Sequence, residues 1–306
     1  MNIIFFGSSS FSVPPLKSVS SQVSAVITKK AKPKGRGYLL EDNEIKKTAQ
    51  ELGLPLIEIA SFKDEAAQLL IDYSPDLFVV ASFGLIIPRW VLDIPLMGAI
   101  NIHPSLLPLY RGPSPIQWVL LKGDEKTGIT LINMNEKMDA GNIIYQENMI
   151  IAEKDTFHTL SERLSQRSAE ILVDIIDAIK IEGMIEGAEQ RHELATFTQI
   201  ITKEMGRIDW SKSSSEIIGQ IKAFVIWPTA YTFLDEVFLK VFDGEIFVSG
   251  RKSLPGTILE TIKDGIVVQT GDGAIIVREV QLQNRKRMNA FEFANGYRGL
   301  IGKILK

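Results

Sequence analysis

Short apolar runs, each closed by Gly, Pro or Ser and separated by stretches of helical period, dominate the first part of the chain. Asn2–Phe6 runs into Gly7 and a serine triplet, Phe11–Val19 follows as a helix or turn, and Val23–Ile27 reads as a second strand. Asn43–Leu52 and Lys63–Tyr73 carry apolar residues at helical spacing, with Pro55–Ile59 as a short strand between them. Asp76–Ser82 is almost continuously apolar, as a strand buried on both faces of a parallel sheet must be, and Phe83-Gly84-Leu85-Ile86-Ile87-Pro88 then breaks it. Gly98–Ile102 and Gly128–Met134 supply two more strands around a helix at Pro115–Lys122, and Thr156–Ile181 is one long amphipathic helix. Strands alternating with helices predict an open α/β sheet, which binds ligands at the carboxyl ends of its strands. Three such ends, near residues 83, 103 and 135, are expected to converge on one crevice.

The period changes in the last third. Residues 183–202 are rich in Gly, Glu and Gln and carry no strong pattern, so they are read as a linker between a first domain, 1–182, and a second, 203–306. Ser213–Phe224 is a helix. Short alternating runs then follow at Tyr231–Leu234, Phe238–Phe242, Gly256–Glu260, Gly265–Gln269 and Ala274–Val280, with turn pairs at Asp243-Gly244, Asp264-Gly265 and Asp272-Gly273. Five short strands with tight turns predict a small β-barrel.

Composition narrows the chemistry. With 306 residues and no cysteine, the chain has room for two domains but no disulfide, thiol nucleophile or thiolate metal site. No apolar run reaches the length of a membrane span, and the N-terminus enters a strand without the order of a secretory signal. A cytoplasmic protein with no membrane attachment is expected. The net charge of −3 hides an asymmetry: residues 201–306 hold 15 Lys+Arg against 12 Asp+Glu, and residues 1–200 hold 19 against 25. That split points weakly to an anionic partner at the C-terminal part, or to ordinary surface variation. Five basic residues lie between Lys29 and Arg36, in a segment broken by Pro33, Gly35 and Gly37. Such a loop suits nucleic-acid phosphates, although alone it reads as well as a solvated surface loop.

Candidate chemistry centres on Gly98–Tyr145. Asn101 and His103 are alternate residues at a strand end, so they share a face, and Pro104 stops the ladder just beyond them. An imidazole can donate or accept a proton near neutral pH, and a carboxamide N–H can stabilise an oxyanion. Asp139, 36 positions after His103, could orient the imidazole or hold a proton-accepting water. His158 and His192 lack partners at metal-ligand spacing, so no metal is expected. The loop after the first strand lacks the dinucleotide fingerprint, and neither a P-loop nor a nucleophile elbow occurs. Asn and His without an activated nucleophile fit direct transfer of an acyl group to an amine.

These residues resemble the signature of the folate-dependent formyltransferases: Asn101-x-His103, then Ser105-Leu106-Leu107-Pro108, and later Asp139. The resemblance implies formyl transfer from 10-formyltetrahydrofolate on a Rossmann-like parallel sheet, with Asn101, His103 and Asp139 catalytic. It places folate against Phe83, Gly84, Leu85, Ile86, Ser105, Leu106, Leu107, Pro108 and Asp139. Lys34–Gly37, Thr202–Trp210, Ala223–Pro228, Pro255–Thr257 and Thr270–Gly273 are similar to the branch of the family acting on initiator methionyl-tRNA. That implies an α/β domain followed by an OB-fold-like barrel that contacts tRNA, with Lys34 and Arg36 as tRNA-binding residues and a monomer as the working unit. Phe224-Val225-Ile226-Trp227 and Gly7-Ser8-Ser9 depart from the usual motifs without touching the trio. A sugar-nucleotide N-formyltransferase, sharing the Asn/His/Asp centre without the basic loop, is the alternative.

Overall fold

The computed structural model describes residues 1–31, 33–34, 39–40, 42–63 and 68–306, with 33–34 and 39–40 described for the backbone alone. The chain divides into two compact units. The first is built from 1–115, 126–150 and 161–198, the second from 116–125, 151–160 and 199–306.

In the first unit the hydrophobic runs become the strands they predict: β1 (Ile3–Gly7), β2 (Val23–Lys29), β5 (Leu56–Ile59), β6 (Leu77–Ala81), β7 (Ala99–His103) and β8 (Lys126–Asn133). A two-stranded ribbon, β3 (Pro33–Lys34) with β4 (Leu39–Leu40), lies outside the main sheet. With β9 (Ile143–Ile150), which the sequence pattern did not reveal, the main strands form a seven-stranded sheet ordered β5-β2-β1-β6-β7-β8-β9. The strands from β5 to β7 pair in parallel. Every residue of β1 and β6 is buried, because helices cover both faces of such a sheet. Phe6 packs edge-on against Phe78 and Phe83, with ring centroids 4.9 and 5.3 Å apart. After β5 the chain returns past β1 to form β6, and this reversal of winding is where open α/β sheets leave a crevice.

β8 does not follow that pattern. It runs antiparallel to β7, with Ile100 opposite Asn133 and His103 opposite Thr130. Its carboxyl end therefore lies beside the start of β7, at the sheet edge away from Ser82 and His103. The expected convergence of three strand ends is corrected to two, near 83 and 103. The loop after β8 must fold back over the sheet to reach them.

The helices obey their caps. Asn43, at the N-cap of α2 (Glu44–Glu51), accepts from the Lys46 amide at 2.9 Å. The long helix Phe157–Glu182 buries Leu160, Leu164, Ile171, Leu172, Ile175 and Ile179. Of the helix expected over Lys63–Tyr73, residues 64–67 lie outside the described residues and 69–73 are turns. Residues 183–198, expected as a linker, are instead bonded into the first unit. The Ala188 and Ile143 backbones exchange hydrogen bonds, and Arg111 pairs in parallel with Phe197.

The second unit is an antiparallel sheet of β10 (Ala230–Leu234), β11 (Val237–Phe247), β14 (Ala274–Leu282), β13 (Gly265–Gln269) and β12 (Ile258–Ile262), in that spatial order, with β15 (Met288–Asn289) beside β14. Asp243-Gly244, expected as a turn, is an irregularity inside the eleven-residue β11. Residues 303–306 join the two edge strands. Phe233 of β10 exchanges backbone hydrogen bonds with Lys306, while the Ile258 amide donates to the Lys303 carbonyl and the Leu305 amide to that of Gly256. The sheet is thus closed into the expected barrel, over a core of Trp210, Ile217, Leu239, Val241, Ile266, Val268 and Ile275.

Candidate active site

β7 delivers Asn101 and His103 on one face, as the two-residue period of a strand requires. His103 is 4% exposed. Its Nε2 lies 2.9 Å from the Tyr110 carbonyl, and a carbonyl can only accept, so Nε2 carries a hydrogen. Nδ1 is the nitrogen left to exchange protons, and it faces Asp139 Oδ1 at 3.6 Å. That distance suits an ion pair with an imidazolium but exceeds a good hydrogen bond.

Asp139 arrives from the loop that folds back after β8. Its carboxylate has three neighbours: the Asn101 amide donates to Oδ1 at 3.3 Å, the Gly112 backbone N–H donates to Oδ2 at 2.8 Å, and His103 Nδ1 stands opposite. The backbone of Asp139 is left-handed, with φ of 49°, a region that Asp tolerates better than most residues. The expected trio is therefore one contiguous cluster, with the carboxylate against both other members.

The Ser-Leu-Leu-Pro run forms the loop after β7. Ser105 is fully buried and donates to the Leu109 carbonyl at 2.7 Å. Thr130 donates to the Ser105 carbonyl at 2.6 Å, and Gln146 to the Leu107 carbonyl at 2.8 Å. Ser105 and Leu107 thus hold the loop in shape, while Leu106 and Pro108 are half-buried. In the other expected folate loop, the Phe83 ring is 2% exposed among Phe6 and Phe62 and belongs to the core. Leu85 is half-buried, Ile86 is exposed, and Gly84 takes a φ of +72°. Lys34 lies in β3 with only its backbone described, and Arg36 lies outside the described residues. Among the described residues no three His, Asp or Glu side chains cluster as a metal would need.

The sequence reading missed the residues that hold the trio. The segment Tyr110-Arg111-Gly112 touches His103 through one carbonyl and Asp139 through one amide. It is pinned by Thr196, whose Oγ1 accepts from the Tyr110 amide at 2.8 Å, and by Thr198, whose Oγ1 donates to the Arg111 carbonyl at 3.0 Å. The Arg111 side chain is buried against Gln190 and His192. Burial pushes its pKa down, and the Asp139 charge opposes that shift. The run Tyr-Arg-Gly, one residue beyond Ser-Leu-Leu-Pro, was the available signal for Arg111. Gln190 had none, since its segment has no periodicity. In the second unit, residues 207–210 of the Thr202–Trp210 stretch line a cleft of about 410 Å³ with Ser211, Pro255, Leu305 and Lys306.

Known proteins resemble this chain in both of its parts. Residues 1–176 match the family model described as formyl transferase, and residues 200–298 match that of the formyl transferase C-terminal domain. The methionyl-tRNA formyltransferase of Staphylococcus aureus (strain MW2) is 39% identical over 309 residues, covering 99% of each chain. That of Desulfotalea psychrophila is 36% identical over 310 residues, covering all of this chain and 96% of its own. Among solved structures, HypX from Aquifex aeolicus with tetrahydrofolic acid superposes with a TM-score of 0.69 at 16% identity; the match covers 99% of this chain and 48% of HypX. WlaRD, a sugar 3N-formyl transferase, superposes at 0.65 with 20% identity, covering 94% of this chain and 99% of its own. At these identities the two structures share the fold.

Proposed function

The chain belongs to the formyl transferase family, and we propose that it moves a formyl group from 10-formyltetrahydrofolate to the α-amino group of methionine carried on initiator tRNA. The observation that carries the choice of acceptor is similarity along the whole chain, both domains included, to enzymes named for methionyl-tRNA. The sugar-nucleotide alternative has only distant structural neighbours behind it.

The proposed chemistry follows from the cluster. The amine attacks the formyl carbon, a C–N bond forms, the bond to the folate nitrogen breaks, and one proton passes from the amine to that nitrogen. Asn101 has two amide hydrogens. One is held by Asp139, and the other donates to the formyl oxygen as negative charge gathers there. His103, with Nε2 tied to Tyr110, works through Nδ1, stabilising the same charge or passing the proton. Asp139 holds the imidazolium by charge and helps to take the amine proton.

Folate is proposed to lie between the 83–86 and 105–108 loops and Asp139, with Phe83 contributing through its backbone because its ring is in the core. Lys34 and Arg36 are proposed to contact tRNA phosphates, and 203–306 to act as the tRNA-contacting domain beside a catalytic domain over 1–182. A monomer working in the cytoplasm, where charged initiator tRNA is used, completes the proposal. Among the described residues no helix is long and apolar enough to cross a membrane.

Asn101→Ala, His103→Ala and Asp139→Asn should each lower the single-turnover rate of formyl-methionyl-tRNA formation by roughly 10²-fold or more, the scale of losing an oxyanion donor or a general acid–base group. Binding of tRNA should stay within about threefold. A near-normal rate in any of the three would refute its role.

A further inference from the structure

Arg111 is 5% exposed, yet its guanidinium is met by an amide oxygen and an imidazole nitrogen. Nε and Nη2 donate to the same oxygen, Gln190 Oε1, at 3.1 and 2.6 Å, and Nη2 also lies 2.8 Å from His192 Nδ1. A guanidinium can only donate, so it dictates which end of the Gln190 amide faces it. The other end, Nε2, must then point away, and it donates to the Asp139 carbonyl at 2.9 Å and the Gly141 carbonyl at 2.7 Å. These carbonyls bracket Ala140, at the turn where Asp139 adopts its left-handed backbone. Removing a cation from water is costly, and here burial outweighs the attraction of the Asp139 charge, so stability alone is a poor reason to keep one there.

We propose that Arg111 and Gln190 are a positioning pair for Asp139: the guanidinium orients the amide, and the amide fixes the turn that aims the carboxylate at His103 and Asn101. The Arg111 backbone joins the same construction, since its neighbours Tyr110 and Gly112 bond His103 and the Asp139 carboxylate. The segment Tyr110–Gly112 thus holds the trio through its backbone and, by way of Gln190, through the Arg111 side chain. The proposal rests on the reading of Asp139 as a catalytic residue.

Gln190→Glu separates positioning from structure. A carboxylate keeps the acceptor that Arg111 needs and adds an ion pair, but it cannot donate to the two carbonyls. The expected result is a melting temperature near that of the native protein with kcat lower by about 10²-fold, the cost of misplacing a reacting group by about an ångström. KM for 10-formyltetrahydrofolate and for methionyl-tRNA should stay within about threefold. Arg111→Lys keeps the charge but offers one donor direction instead of a fork, and should cost about tenfold in kcat with KM unchanged. It carries the test if the glutamate variant does not fold. Asp139→Asn is measured beside them. If it retains the native rate, the reading of Asp139 fails. If Asp139→Asn is inactive while a folded Gln190→Glu, or in its absence Arg111→Lys, keeps kcat within about threefold, the positioning pair is overturned and the reading of Asp139 stands.

Discussion

A β-carbon built on Gly141 would lie 1.6 Å from the Asn133 carbonyl oxygen, closer than any contact can be. The loop carrying Asp139 closes on itself there, because the Asn133 amide donates to the Asn142 carbonyl at 2.9 Å. Gly141→Ala must push the loop open, so it should destabilise the protein by more than about 2 kcal/mol, in the range of severe backbone lesions. It should also lower kcat, because the loop aims the carboxylate; thermal unfolding and single-turnover rates on the same sample test both effects. At this scale the sequence was informative where chemistry and period coincide. Asn101 and His103 announce themselves as alternate residues at a strand end, and Asp139 by its place in the motif. Gln190 could not be found, because its role depends on which atoms meet across 49 to 79 positions of chain. The basic loop could be read for charge alone.

Among elements, the strands buried on both faces and the capped helices were the most legible, since burial and capping are local demands. Ser213 forms a capping box with Glu216 at the start of the helix Ser214–Ala223. Ser213→Ala should therefore cost about 1 kcal/mol of stability, read as a shift in the denaturation midpoint at constant m-value. The direction of β8 was not legible, because a strand's own pattern does not say which way it runs. β9 escaped notice because Ile143–Ile150 alternates only weakly, as fits an edge strand exposed at every second residue only from Gln146 onward. That strand is tied to the long helix by Glu147, which receives the Arg167 guanidinium on both oxygens at 2.8 Å. The Arg167 hydrogen bonds hold the Glu147 carboxyl down at about 2, well below its ordinary 4.5. A lowered carboxyl pKa stabilises the fold at pH values above the unfolded pKa, and the contribution disappears as pH falls through the folded one. Glu147→Gln should therefore be less stable than the native protein at pH 7. The difference should shrink between pH 4.5 and 2 and vanish below, as urea unfolding across that range would report.

For the whole molecule, the division of the chain was only partly visible in composition. The patternless stretch after residue 182 looks like a linker because, apart from one 3-10 turn at His192–Leu194, it has no regular structure of its own. Residues 183–198 nevertheless bond to the first unit, where Thr196 and Thr198 hold the Tyr110–Gly112 segment beside Asn101, His103 and Asp139. The barrel was legible from its short alternating strands, but its closure by residues 303–306 was not, since that pairing joins distant segments. Deleting 303–306 should expose two strand edges at once and lower the melting temperature of the second unit, while the first unit keeps its own transition in calorimetry. The excess of basic residues after 201 gives another expectation. The logarithm of tRNA affinity should fall linearly with that of salt concentration, while KM for the formyl donor barely moves. A salt-independent tRNA affinity would contradict phosphate contacts. On the proposed mechanism, Asn101, His103 and Asp139 formylate methionine on initiator tRNA. The most direct measurement incubates native protein and the Asp139→Asn variant with 10-formyltetrahydrofolate and either charged initiator tRNA or an amino-sugar nucleotide. Formyl-methionyl-tRNA from the native protein alone, with the sugar untouched, is the predicted result; formylated sugar as the only product, or equal rates from both proteins on tRNA, would contradict it.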